Sequence, residues 1–175
     1  MGEVKEGLEG LRPMIDEEVR AVALAIIVIA GAAAISQAIV AGRTVEPFSA
    51  LGTLGPNMKI GDYPKTVLVN ETFRVYFYVE NHEGKAMSYE LRIKIGDNGT
   101  FINETAPADL PTVFSYYAIL PNGANTTIPA DLSIPAPVVN GKIIIEMWVH
   151  SSNGTWYNGR WNHLQINATL PEPVG

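Results

Sequence analysis

Two patterns of apolar positions divide this chain. Residues 21–41 read AVALAIIVIAGAAAISQAIVA, without a charge, between Arg20 and Arg43. At 1.5 Å per residue the run spans ~31 Å, about the thickness of a bilayer's hydrocarbon core, which predicts a membrane-crossing helix. After residue 42 the helical period gives way to alternation. In residues 72–80 (TFRVYFYVE), Phe73, Val75, Phe77 and Val79 take one face and Arg74, Tyr76, Tyr78 and Glu80 the other, as a half-buried strand requires. Tyr89, Leu91, Ile93 and Ile95 repeat the pattern, and the turn-rich Asn81-His-Glu-Gly-Lys between the two runs predicts a hairpin or a sandwich corner. Residues 142–150 turn Ile143, Ile145, Met147 and Val149 inward, and residues 161–169 do the same with Leu164, Ile166 and Ala168. Shorter runs at 66–69, 113–120 and 126–134 bring the total to about seven strands separated by Gly, Pro and Asn turns, the count of an antiparallel immunoglobulin-like β-sandwich. The predicted class is therefore all-β, preceded by one N-terminal transmembrane helix.

Composition narrows the picture. At 175 residues the chain holds one compact domain and a short extra element. Hydrophobic residues make up 47% and charged residues only 17%, an excess concentrated in the apolar run. The absence of cysteine excludes disulfides, thiolate metal sites and a cysteine nucleophile. A net charge of −6 argues against a nucleic-acid partner, which needs a basic face to neutralise phosphates. The expected layout is an acidic arm (1–20), a transmembrane helix (21–42), a stalk carrying Pro47 and Pro56 (43–62) and the sandwich (63–175). The arm is too long and too acidic for the basic start of a cleaved secretory signal.

Basic residues flank the helix on both sides, with Lys5, Arg12 and Arg20 before it and Arg43 and Lys59 after it, so they leave its orientation open. The asparagines decide it. Asn70, Asn98, Asn103, Asn125, Asn153 and Asn167 each begin an Asn-x-Thr acceptor for N-linked sugar, and all six follow the helix. That pattern predicts a cell-membrane protein with its N-terminus in the cytoplasm and its C-terminal domain outside.

The stretch Glu46-Pro-Phe-Ser-Ala-Leu-Gly-Thr-Leu-Gly-Pro-Asn, then Tyr63-Pro64, then Asn81-His82-Glu83-Gly84 and Tyr89, resembles an uncharacterised archaeal membrane-protein family catalogued as domain of unknown function 1616. The likeness is best over residues 46–95 and thins to RWNHL (160–164) thereafter. It implies an extracytoplasmic immunoglobulin-like domain and no activity. Many members of that family carry several membrane helices before the domain, whereas this chain shows one.

Candidate chemistry is sparse. His82 and Glu83 are adjacent and could hold a metal or move a proton, but polar turn residues more often tie their own loop. His150 and His163 lack a third ligand. No hydrolase elbow, phosphate loop, dinucleotide fingerprint or zinc-protease helix occurs, so neither an enzyme nor a cofactor is expected, and no catalytic residue is assigned. Trp148, Trp156, Tyr157 and Trp161 gather near one predicted hairpin, where they either pack across strands or stack on sugar rings. Ala30, Ala34, Ala38 and Gly42 recur every four residues, a small-residue face for packing against another membrane helix. These features point to a glycosylated, membrane-anchored surface protein with a structural or protein-interaction role, partnered by an envelope or membrane protein or by itself. A carbohydrate-binding module and a filament subunit assembled through the helix are the alternatives.

Overall fold

The computed structural model describes residues 17–41 and 46–171, and the chain divides into two units, Met1–Glu46 and Pro47–Gly175. In the first unit, α1 (Glu17–Ala41) begins four residues before the uncharged run. Side chains from residue 19 to residue 40 are exposed on every side, and Val19–Val40 is long and apolar enough to cross a membrane. The one hydroxyl in its second half, Ser36, donates to the Ala32 carbonyl at 2.8 Å, so it makes no unmet polar demand. Ala30, Ala34 and Ala38 share a side of α1. Gly42, the fourth member of that row, lies outside the described residues, as do positions 1–16 of the arm.

The second unit is an immunoglobulin-like β-sandwich of two sheets. One orders β1 (Phe48–Leu54), β3 (Phe73–His82) and β6 (Asn125–Leu132) as β1-β3-β6. The other orders β2 (Thr66–Leu68), β8 (Gly154–Thr169), β7 (Val138–Ser151), β4 (Met87–Gly96) and β5 (Phe114–Leu120) as β2-β8-β7-β4-β5. Two expectations are corrected. Among the described residues there are eight strands, because part of the expected stalk is β1, paired with β3 at seven positions from Phe48↔His82 to Leu54↔Tyr76. Its buried positions are Ser49 and Thr53, so apolar alternation could not reveal it. The sheet is also not wholly antiparallel, since β2 runs parallel to β8. Of the two connections expected between β3 and β4, the chain takes the sandwich corner, which crosses from one sheet to the other.

The alternation of the sequence becomes the core. Val75, Phe77 and Val79 of β3, with Ala130 and Leu132 of β6, face Leu91, Ile93, Ile143, Ile145, Met147, Leu164 and Ile166 of the larger sheet, all nearly solvent-free. Rows run straight across that sheet: Ile95↔Ile143↔Leu164, and Leu91↔Met147. Each such aliphatic or aromatic side chain contributes about 1.5–3 kcal/mol on burial, so the inward stripe supplies the driving force. Phe77 meets Tyr116 edge-on at 5.5 Å, an aromatic contact between β3 and β5.

Candidate functional site

Of the family-like residues, Asn81, His82, Glu83, Gly84 and Tyr89 gather at the corner where β3 passes to β4, whereas Tyr63 and Pro64 lie toward the other end of β1. Asn81, fully buried, donates through Nδ2 to the carbonyls of Lys85 and Leu120, both at 2.8 Å, and accepts at Oδ1 from the Glu83 amide at 2.9 Å. Its backbone N–H donates to Ala124 and its carbonyl accepts from Gly123, so one asparagine ties three loop segments together. Gly84 supplies the φ of +76° that turns the corner, and its N–H donates to Asn122 Oδ1. Ser49 donates to Glu83 Oε1 at 2.6 Å and shares a 2.9 Å bond with the buried hydroxyl of Tyr89, whose pKa burial pushes up. Tyr63 donates to the Thr53 carbonyl at 2.7 Å, and Pro64 follows it just before β2, so this pair fastens the segment ahead of β2 to β1.

His82 and Glu83 do not act together. His82 bonds Glu80 Oε1 at 2.8 Å and stacks on Phe48 at 4.7 Å, which holds the Glu80 carboxyl below its usual range, while Glu83 turns to Ser49. Among the described residues no group of three or more His, Asp or Glu side chains is placed to hold a metal. His150 and His163 are separated along β7 and β8: His150 opposes Thr155 and His163 opposes Ile144.

The outer face of the five-stranded sheet carries a charged network that sequence reading missed. Residues 97–113, between β4 and β5, fold back over it and bury Ala108, Ile144, Lys94 and Glu146. Glu146 accepts from the Ala108 amide (2.7 Å), the Trp148 indole N–H (2.9 Å) and Lys94 Nζ (3.0 Å), and Lys94 also donates to the Ala108 carbonyl at 2.6 Å. Each charge under the loop therefore has a partner and supplementary hydrogen bonds, as a buried charge must. Next to it, Glu90 accepts from Arg92 (2.8 Å), His150 (2.9 Å), Ser115 (3.0 Å) and Tyr117 (3.2 Å). Burial pushes the Glu90 carboxyl up, but the bonds from Arg92, Ser115 and His150 outweigh it and bring the pKa to about 2.

The four aromatics split. Trp148 sits beneath the Arg92 guanidinium at 4.0 Å and against Tyr157 at 5.8 Å, so its ring is in use within the protein. Trp161 lies on the same face, paired with Glu146 and stacked along the strand on His163. Trp156 pairs with Val149, an inward-facing position, and its exposed side chain stands on the opposite side from Tyr157. The six Asn-x-Thr asparagines all fall in the second unit. Asn70, Asn98, Asn125 and Asn153 are exposed, while Asn103 and Asn167 are half-buried. Asn167 shares the outward parity of His163 and Gln165, accepts from the Asn140 amide at 2.7 Å, and lines a cleft of about 620 Å³ with Tyr63, Lys65 and His163.

No protein-family model matches the chain, and no curated protein matches it. Solved structures do. A CARDB domain from Pyrococcus furiosus, crystallised in complex with di-metal ions, is similar at 13% identity and a TM-score of 0.45, over 73% of this chain and 95% of that one. A sporulation control protein of Bacillus subtilis is similar at 11% identity and a TM-score of 0.42, over 70% of this chain and 50% of that one. A β-glucosidase of Erythrobacter marinus is similar at 14% identity and a TM-score of 0.44, over 70% of this chain and only 16% of that one.

Proposed function

We propose that this chain is a single-pass, N-glycosylated cell-surface protein whose sandwich stands outside the membrane, with a structural or protein-interaction role at the cell envelope. The observation that carries the reading is the division of labour between the two units. One is a helix with apolar side chains exposed all round, which lipid satisfies and water does not. The other holds all six Asn-x-Thr acceptors, four of them with exposed asparagines. The resemblance to the archaeal family's extracytoplasmic domain supports the same placement. Tyr117 and Ile119, 64% and 77% exposed on edge strand β5, give the sandwich apolar contact area and support an interaction role.

Protease added to intact cells tests this reading. It should remove the unit that follows α1 while an epitope in residues 1–20 survives, and mass spectrometry should find sugar on the exposed acceptors Asn70, Asn98, Asn125 and Asn153. Survival of Asn153 peptides in treated cells would reverse the orientation.

A further inference from the structure

We propose that the indole of Trp161 is the seat of the sugar linked to Asn103, so that this glycan is part of the folded sandwich and not a free surface chain. The inference rests on the glycoprotein reading above. Asn103, Glu104 and Thr105 form one acceptor in the loop that covers the outer face, and together with Trp161 they line a cleft of about 320 Å³. The cleft thus consists of the whole acceptor and one aromatic ring.

The loop is held against β8 at this point. Tyr157 donates its hydroxyl to the Asn103 carbonyl at 2.9 Å. Gly159, at φ +79°, lets strand and loop backbones touch, for a Cβ there would lie 2.6 Å from the Glu104 carbonyl oxygen. The acceptor side chain is fixed as well. Asn103 Oδ1 accepts from the Thr105 amide (2.9 Å), the Thr105 hydroxyl (2.9 Å) and the Ala106 amide (2.7 Å). Among the described residues Nδ2 has no partner, and it is the amide atom that N-linked sugar takes. In that step Nδ2 forms a bond to the anomeric carbon of a lipid-phosphate-activated sugar, the carbon–oxygen bond to phosphate breaks, and the amide gives up one proton. A sugar so tethered has the indole as its neighbour, and the C–H face of a pyranose packs on an aromatic face as another apolar surface would. Asn70, Asn98, Asn125 and Asn153, in contrast, stand exposed.

A double-mutant cycle on the full chain in detergent tests the contact. T105A removes the acceptor and T105S keeps both acceptor and hydroxyl, so T105S is the control. In cells that glycosylate, T105A should lower the Tm by about 3 °C more in the parent than in W161L, with W161F keeping most of the coupling. In cells lacking the sugar transferase that excess should vanish. An equal loss with and without W161L overturns the inference. A second measurement needs no variant: in carbon-correlated NMR spectra the ring current of Trp161 should shift the proximal sugar protons at Asn103 upfield from those at Asn153, and coincident shifts overturn the inference. Mass spectrometry separates the two levels. Sugar elsewhere but none on Asn103 sinks this inference alone, whereas bare asparagines at all six acceptors sink the glycoprotein reading with it.

Discussion

Arg74 and Asp131, on the outer face of the three-stranded sheet, form a two-point ion pair at 2.7 and 2.6 Å with about half of each side chain in solvent. Lys94 and Glu146, on the outer face of the five-stranded sheet, pair at 3.0 Å with 6% and 0% exposed. The exposed pair has the better geometry, yet the covered pair matters more. Water and salt compete for Arg74 and Asp131, and ordering two long side chains cancels much of their attraction. Lys94 and Glu146 have no such competitor, so losing either strands the other in a poor solvent. What differs between the sheets is the loop of residues 97–113, and that loop is itself fastened by the charges it covers, through the bonds of Ala108 to both. Charge and cover stabilise each other, and neither is independent of the other.

The sharpest way to break this comparison is E146A. It leaves the Lys94 ammonium unpaired and orphans the Ala108 amide and the Trp148 indole N–H, for an expected cost of about 3–5 kcal/mol in urea unfolding. Replacing both charges at once by K94M and E146L should recover only the share due to the unpaired ammonium, since the Ala108 amide and carbonyl and the Trp148 indole N–H stay without partners. Glu90 sharpens the comparison by pH. Its pKa, about 2 in the fold against 4.5 ordinarily, contributes about 3 kcal/mol, present in full above pH 4.5 and lost as pH falls from 4.5 to 2. Unfolding curves across that window should slope steeply for the parent and flatten for E90Q. Removing one tether of the cover, Y157F should cost about 1 kcal/mol and speed hydrogen exchange at the Ala108 amide. The smallest effect belongs to the exposed pair: R74A should move the Tm by less than about 1 °C.

The sequence made the inward faces legible because they are apolar at every second position. Phe73 to Val79, Tyr89 to Ile95, Ile143 to Val149 and Leu164 to Ala168 all face the core as the alternation predicts. Strand β1 stayed hidden because its buried positions are Ser49 and Thr53, which satisfy hydrogen bonds to Glu83, Tyr89 and Asn162 and not the core. The covered network stayed hidden for a related reason. Strand parity says which side a residue faces and nothing about what later folds over that side, so Glu90, Lys94 and Glu146 read as solvent-facing. Ile144 was the available signal: an isoleucine on the polar parity of β7, wholly buried, needs a cover. The family-like residues could be picked out from the sequence, but their role as a hub fastening the corner needed the distances around Asn81.

The parallel pairing of β2 with β8 sets an order in time. Thr66 meets Asn167 about a hundred residues further along the chain, with five strands between them. Closing a loop of that length from an open chain costs about 4 kcal/mol, and three residues of ladder with one buried valine return little against it. β2 can dock cheaply only once the pairings of β3 with β6 and of β4 with β7 have already brought the two halves of the chain together, so it joins a nearly finished sheet and is absent from the rate-limiting step. Val67→Ala should then speed unfolding and leave refolding almost unchanged, marking β2 as the strand that closes last and opens first.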